Sequence, residues 1–300
     1  MCHTKNKTIV RVVVGLTFLL GCGRYLHSVA EDPTATYAEI IVLDEQTNRG
    51  IPLVELTTVN DLRFVTDNAG RIAFREPGLM ERSVYFHVRS HGYEFPADGF
   101  GNRGTKLRLA PGGSVTVRLQ RRNVAERLYR ITGEGLYRDS VLLGRQTPLD
   151  KPLGSGKVAG QDSAFAVPYR DKLYWFWGDT SRMSYPLGHF WMAGATSELP
   201  ASGGLHPARG INLRYFVDDS GFSRPMCRLG VQHGLIWADA FTTVVDDNNN
   251  NRLVCHFAHM ESLGKMLAHG LAIYDDKLEE FQRLSTLDLR DLWRWPAQAH

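Results

Sequence analysis

The sequence has few cysteines, little excess charge and no long apolar run. It contains four cysteines in 300 residues, without a CxxC pair or the Cys/His spacing of a zinc site, so we expect neither a metal nor a cofactor. The net charge of +3 is small and comes partly from basic residues near the N-terminus, which argues against a nucleic-acid partner. The fingerprints of nucleotide-binding loops and serine hydrolases are also missing. The sequence therefore carries no signature of a cytosolic enzyme.

The N-terminal segment has the pattern of an export signal. An apolar run of nine residues, Val12 to Leu20, follows the basic residues Lys5, Lys7 and Arg11. A bilayer core of ~30 Å needs about 20 apolar residues, so this run is short for a membrane anchor and has the length of a secretory signal. We therefore predict a signal peptide over residues 1–30 and an extracytoplasmic location: secreted, periplasmic or lipid-anchored at the cell envelope.

Two processing sites compete within this leader. Ser28 and Ala30 place small residues where a conventional signal peptidase requires them. The stretch Leu19-Leu20-Gly21-Cys22 resembles a bacterial lipobox, in which Cys22 would be lipidated and would attach the protein to a membrane. The ten residues from Leu20 to Ala30 are long for the region before a cleavage site, which slightly favours Cys22.

Two cysteines, Cys227 and Cys255, lie outside the leader. An even count is compatible with one disulfide in an oxidising compartment. Two separate buried thiols are at least as consistent with the sequence. Both interpretations stay open at this point.

Residues 36–120 read as short strands separated by turns, such as Asp67-Asn68-Ala69-Gly70. About seven strands in such a length indicate a β-sandwich. The motif D-x-x-T-x-x-G-I-P-L-V-x-L from Asp44 to Leu56, the run T-D-N-A-G-R-I-A-F from Thr66 to Phe74, and L-A-P-G-G-S-V-T-V-R-L from Leu109 to Leu119 resemble the carboxypeptidase regulatory-like domain. That resemblance implies a transthyretin-like or immunoglobulin-like sandwich without catalysis, used as a spacer or interaction module. Residues 121–160, rich in glycine and proline, are predicted to be an irregular connector packed across both domains.

Residues 161–300 contain one pattern twice. Asp162 and Asp239 each precede a strand, a hairpin turn and a second strand, and residues 190–197 and 269–274 supply a third strand in each copy. A repeated four-stranded antiparallel unit is typical of a β-propeller. The first copy, Q-D-S-A-F-A-V-P-Y-R-D-K-L-Y-W-F-W-G-D-T, resembles the opening blade of five-bladed propellers of the arabinanase/levansucrase type. The sequence thus predicts an all-β fold, a sandwich followed by a partial propeller of about two blades.

A closed propeller typically has 4–8 blades, so two blades leave a deficit. The chain is truncated, or another chain supplies blades, or the propeller interpretation fails. In the resembling family the general acid comes from a later blade. We therefore expect this chain to be incomplete as a catalyst.

The candidate catalytic groups are aspartates at the starts and turns of the repeated strands. Glycoside hydrolysis uses two carboxyl groups. The resemblance implies that Asp162 is the general base, because in that family an aspartate at this position faces the central channel; Asp179 and Asp239 are auxiliary carboxylates. Each of the three could instead cap a strand or close a turn.

The candidate substrate-binding residues are Trp177, Trp237 and His189, in a half of the chain where aromatic residues are concentrated. Aromatic rings stack on sugar rings, but they also fill β-rich cores. Trp177 lies in a run whose two faces are both apolar, which favours a buried inner strand over a sugar platform.

The sequence supports two functions. The first is an exported carbohydrate-active or carbohydrate-binding protein of glycoside-hydrolase-like propeller type, with a glycan as its partner. The second is a non-catalytic extracytoplasmic interaction or adhesion protein, based on the regulatory-like domain and the missing acid. The oligomeric state is left open by the sequence.

Overall fold

The structure is a computed structural model that describes residues 36–290. The expected signal peptide and its Cys22 lie outside the described residues. Residues 36–290 belong to one compact unit. Within them, strands dominate and the helical content is limited to one short α-helix and short 3-10 turns, so the predicted all-β class is confirmed.

Eight strands form the first part of the described chain: β1 (Ala38–Asp44), β2 (Glu55–Thr58), β3 (Arg63–Val65), β4 (Arg71–Phe74), β5 (Ser83–Arg89), β6 (Tyr93–Glu94), β7 (Gly104–Arg108) and β8 (Ser114–Arg121). A short helix follows, α1 (Arg138–Leu142). The remaining strands are β9 (Val158–Gln161), β10 (Phe165–Tyr169), β11 (Lys172–Trp177), β12 (Thr180–Arg182), β13 (Tyr185–His189), β14 (Ala193–Glu198), β15 (Arg214–Tyr215), β16 (Leu235–Val245), β17 (Asn251–Ser262), β18 (Lys265–Asp275) and β19 (Glu280–Leu287).

The first eight strands form two four-stranded sheets with the orders β4-β1-β8-β6 and β3-β2-β5-β7. Neighbouring strands are antiparallel except β1 and β8, which run parallel with Ile40 opposite Val115. Alternate residues of the two sheets point into one shared core, which includes Leu56, Phe74 and Phe86. The period-two alternation of apolar residues in the sequence therefore decides which face of each strand is buried.

The second half contains two further four-stranded antiparallel sheets, β10-β11-β14-β15 and β16-β17-β18-β19. In both sheets, the strands lie side by side in the order in which they occur in the chain. A second core joins Val167 and Phe176 of one sheet to Leu253 and Phe257 of the other. A smaller sheet has the order β13-β12-β9. Its β12–β13 hairpin is inserted between β11 and β14, whereas β9 precedes β10. None of the five sheets of the described residues closes on itself.

The two sequential sheets meet along their first strands, β10 and β16. The Thr243 hydroxyl of β16 donates a hydrogen bond to the Pro168 carbonyl of β10 at 2.8 Å. Phe241 stacks on Phe176 with ring centroids 4.4 Å apart and packs against Phe165 at 5.1 Å. This aromatic contact fixes the two copies of the repeat side by side.

The segment between the two halves makes hydrogen bonds with both. The Asp67 carboxylate of the first half accepts the backbone N–H of Ser140 in α1 at 2.7 Å, and Asp139 accepts the N–H of Ala73 at 2.9 Å. On the other side, the Tyr129 hydroxyl donates to the Pro207 carbonyl at 2.7 Å. This segment also contains β9, which pairs with β12 of the second half.

Candidate functional site

A cleft of about 460 Å³ opens where the chain enters the two sequential sheets. Its polar side carries three carboxylates, Asp162, Asp179 and Asp239. Its apolar side is lined chiefly by aromatic and methionine side chains: Phe165, Trp237, Met192, Met260 and Met266. The structure therefore brings together the three aspartates that the sequence repeat selects, together with one of the three candidate substrate-binding residues.

Asp162 lies between β9 and β10 and is held against the turn that follows β11. Its Oδ1 accepts the backbone N–H of Asp179 at 2.9 Å, and its carbonyl accepts the N–H of Gly178 at 2.9 Å. A Cβ atom on Gly178 would lie only 2.4 Å from Asp162 Oδ1. The absence of a side chain at Gly178 thus leaves room for the Asp162 carboxylate at this turn.

Asp162 and Asp179 face different surroundings although their backbones are hydrogen-bonded. Asp162 is exposed, whereas Asp179 is partly buried. Burial, together with the nearby negative charge of Asp162, raises the pKa of Asp179 above its usual range. When two neighbouring carboxyl groups lie in different environments, one can hold a proton while the other is ionised and accepts one.

Asp239 is buried, with 8% of its surface exposed, and it begins a line of hydrogen bonds through the sheet. His256 Nδ1 lies 2.9 Å from Asp239 Oδ1, and His256 Nε2 lies 3.2 Å from His269 Nδ1. His269 Nε2 in turn lies 3.1 Å from the carbonyl oxygen of Asp288. Both imidazoles are almost completely buried, at 2% and 0% exposure. Neither histidine is among the candidate site residues predicted from the sequence.

Asp162 and Asp239 are each followed by a residue in the left-handed region. Ser163 has φ 49° and Ala240 has φ 51°, which costs non-glycine residues about 1–2 kcal/mol each. At Ala240 the pairing of β16 with β17 shifts register, as in a β-bulge. The bulge places Asp239 opposite His256. The left-handed residue after the aspartate therefore occurs in both copies of the repeat.

The other two candidate substrate-binding residues do not line the cleft. Trp177 is 2% exposed and stacks on Tyr215 with ring centroids 5.4 Å apart, so its ring faces are covered by protein. His189 lies in β13, where it packs edge-on against Phe222. Burial lowers the pKa of His189 to about 4, so its imidazole is neutral above that pH. Neither side chain contributes to the chemistry of the cleft.

Cys227 and Cys255 are free thiols in the second core, and the two side chains are hydrogen-bonded to one another. Burial raises the pKa of Cys255. Within residues 36–290, no group of three or more His, Cys, Asp or Glu side chains is arranged to hold a metal ion. No helix in that part of the chain is long and apolar enough to cross a membrane.

Comparison of the chain with protein-family models, with curated proteins and with solved structures finds no match. No relative's activity or substrate therefore bears on this cleft. Its function has to be inferred from its own side chains.

Proposed function

We propose that this chain is an exported carbohydrate-binding protein and that the cleft carrying Asp162, Asp179 and Asp239 holds the sugar. The observation that supports it is the meeting of these three aspartates with Trp237 in one concave site. Carboxylates accept hydrogen bonds from sugar hydroxyls, and an indole ring packs on the apolar face of a pyranose or furanose. A concave, largely apolar site with a few convergent polar groups is the usual form of a small-molecule site.

We also propose which known architectures the sheets represent. The two sheets over residues 38–121, which share one core, are the regulatory-like sandwich, and the two sequential four-stranded sheets are two blades of a glycoside-hydrolase-like propeller. Support for the blades comes from their equal strand order and from the left-handed residues after Asp162 and Asp239. Asp162 lies just before β10 and Asp239 lies within β16, the first strands of the two sheets. In the propellers that the sequence resembles, an aspartate likewise belongs to the innermost strand.

We further propose that binding in this chain occurs without efficient turnover. Hydrolysis needs two carboxyls on opposite sides of the scissile bond and exclusion of water from them. Asp162 is exposed, and the sheets of the described residues leave the cleft open on one side. The expected rate on α-arabinan, xylan and fructan is therefore background.

The test is a glycan array followed by calorimetry with arabino-, xylo- and fructo-oligosaccharides. Asp162→Asn should weaken binding at least about tenfold, because a charge-assisted hydrogen bond contributes about 1.5–3 kcal/mol. Trp237→Ala should do the same through loss of stacking. Asp171→Asn is the matched control, since Asp171 occupies the exposed β10–β11 turn outside the cleft. Equal binding by Asp162→Asn, Trp237→Ala and the wild type would reject the cleft as the sugar site.

One observation favours the second function, a non-catalytic interaction protein. The β12–β13 hairpin exposes Met183, Tyr185 and Leu187, each about half or more accessible. Exposed apolar side chains in a row are typical of protein-binding surfaces. A silent glycan array, combined with a protein partner that is lost in Tyr185→Ser and Leu187→Ser, would support this function instead.

A further inference from the structure

A second cavity, of about 500 Å³, is lined by residues of the first sheets, of the segment between the halves and of the loop that joins β14 to β15. It shares no lining residue with the aspartate cleft. Three arginines line it, Arg49, Arg71 and Arg209, and none of the described residues around it is aspartate or glutamate. The two sites of the chain therefore carry charges of opposite sign.

The positions of Arg49 and Arg71 are fixed by bonds that use only part of each guanidinium. Arg71, the first residue of β4, donates from Nε to Glu39 Oε1 at 2.8 Å. Arg49, in the turn after β1, donates from Nη1 to the Ala208 carbonyl at 2.6 Å, and its Nε lies 3.3 Å from Glu126 Oε1. A guanidinium has five N–H donors in a planar fork, so both side chains retain donors for a ligand.

Arg209 lacks the carboxylate partner that the other two arginines have. In residues 36–290 its guanidinium makes no ion pair, and the residue is exposed. The bond from Arg49 to the Ala208 carbonyl fixes the backbone directly before Arg209. Three guanidiniums around one cavity repel each other, and an anion bound among them would reduce that repulsion.

Tyr137 adds an uncharged donor to the cavity. It lines the cavity and is only 5% exposed, and its hydroxyl makes no hydrogen bond to another described residue. Burial, and in smaller part the charge of Asp67, raises the pKa of Tyr137 to about 12, although the nearby charges of Arg49 and Arg209 lower it. The hydroxyl is therefore protonated at neutral pH. A nearly buried donor without a protein partner requires an acceptor from solvent or from a ligand.

The carboxylates that contact these residues do not cancel the positive charge. Glu39 pairs with both Arg71 and Arg145, so two guanidiniums share one negative charge. The charge of Asp67 acts on Arg130 as well as on the tyrosine, and its oxygens accept backbone N–H groups. The unpaired guanidinium on the β14–β15 loop adds to the excess. The cavity therefore stays positive after its neighbours are counted.

We propose that this cavity is a second ligand site of the chain and binds an oxyanion, the carboxylate, sulfate or phosphate group of a small molecule. Guanidiniums pair with these groups through two parallel N–H···O bonds, and the Tyr137 hydroxyl supplies a further donor. A volume of about 500 Å³ is that of a small-molecule site, so the ligand is larger than the anionic group alone. A cation or an uncharged ligand would leave the excess charge uncompensated.

The experiment is calorimetry of the whole chain at neutral pH with three charged probes: inorganic sulfate, inorganic phosphate and the dimer of galacturonic acid. At least one of them should bind, and its affinity should fall as salt is added. Arg209→Gln should weaken that binding about tenfold or more, because it removes a charged donor, and Tyr137→Phe should weaken it about fivefold. The probes that bind distinguish a carboxylate ligand from a tetrahedral anion.

Arg108→Gln is the matched control. Arg108 is an exposed arginine of β7 that does not line the cavity and has no ion pair within the described chain, so its replacement should leave binding unchanged. Circular dichroism checks that each variant is folded. The proposal is overturned if none of the three probes binds, or if Arg209→Gln and Tyr137→Phe bind them as the wild type does. The uncharged galactose dimer separates the two sites, since any binding of it in the aspartate cleft should be unaffected by Arg209→Gln.

Discussion

Asp67→Ala should strongly destabilise the protein, because it removes a buried carboxylate from the turn before β4. The Asp67 side chain is 3% exposed and accepts three backbone N–H groups: Ala69 at 2.9 Å, Arg71 at 3.1 Å and Ser140 at 2.7 Å. The first two close the turn before β4, and the third is an otherwise unpaired donor in the first turn of α1. One carboxylate therefore fixes both a turn and a helix from another part of the chain.

The magnitude follows from the three bonds. Each turn bond contributes about 1 kcal/mol, and the buried bond from Ser140 to a charged acceptor contributes about 1.5–3 kcal/mol. Removal of Asp67 also relieves its repulsion with Asp139, whose pKa is raised mainly by burial and in smaller part by Asp67. The expected loss is about 3–4 kcal/mol in the free energy of unfolding, measured by urea titration at pH 7.

Asp98→Ala is the matched control. Asp98 accepts the backbone N–H of Phe100 and of Asn102, each at 2.9 Å, and so has the same two turn bonds in an exposed hairpin. It lacks the third, long-range bond, and its replacement should have a much smaller effect. If Asp67→Ala and Asp98→Ala cost the same, the bond to α1 contributes nothing and the proposed anchoring of this segment fails.

Three further outcomes are expected. Because burial lowers the pKa of His189 to about 4, the unfolded state binds more protons than the folded state between about pH 6.5 and 4. This group should lower the free energy of unfolding by about 2–3 kcal/mol as the pH falls through that window. Urea titrations of His189→Phe should lack this part of the loss. Residues 36–120 alone should unfold cooperatively with a β-type circular dichroism spectrum, though at lower denaturant than the longer chain because the bonds from α1 are gone; a helical spectrum would refute this. Phe176→Ala should cost about 3–5 kcal/mol by urea titration, since its buried ring stacks on Phe241, whereas Phe100→Ala, at a side chain 95% exposed, should leave stability unchanged.

Features set by local chemistry could be read from the sequence. The Asp67–Gly70 turn and the polar turn after β16 depend on side-chain-to-backbone bonds two and four residues along the chain, which residue types alone indicate. The alternation in β1 and β4 likewise predicts their buried faces. Long-range pairing was out of reach: nothing local in β1 and β8 shows that they run parallel, and the β12–β13 hairpin has too little periodicity to be recognised.

The sequence predicted the three aspartates of the candidate site but not the contact between Asp239 and His256. That contact depends on a register shift in β16. Counting back from the turn between β16 and β17, where Val245 pairs with Asn251, an unbroken ladder places Asp239 opposite Phe257. The register shift at Ala240 moves it by one residue, opposite His256. Since side chains alternate with period two, that single residue decides whether the carboxylate meets an apolar ring or an imidazole.

The strained residue after Asp239 is therefore coupled to the chemistry of the cleft. An alanine with φ 51° costs folding free energy, and a bulge without compensation would be removed by pairing in the regular register. The compensation is the Asp239–His256 bond, which the regular register would replace with a buried carboxylate against Phe257. Ser163 repeats the strain after Asp162, where the compensation is the bond from Asp162 to the Asp179 backbone. Each copy of the repeat thus has a strained residue directly after its aspartate, before β10 in the first copy and within β16 in the second. Relaxing either residue would turn the preceding carboxylate away from its partner.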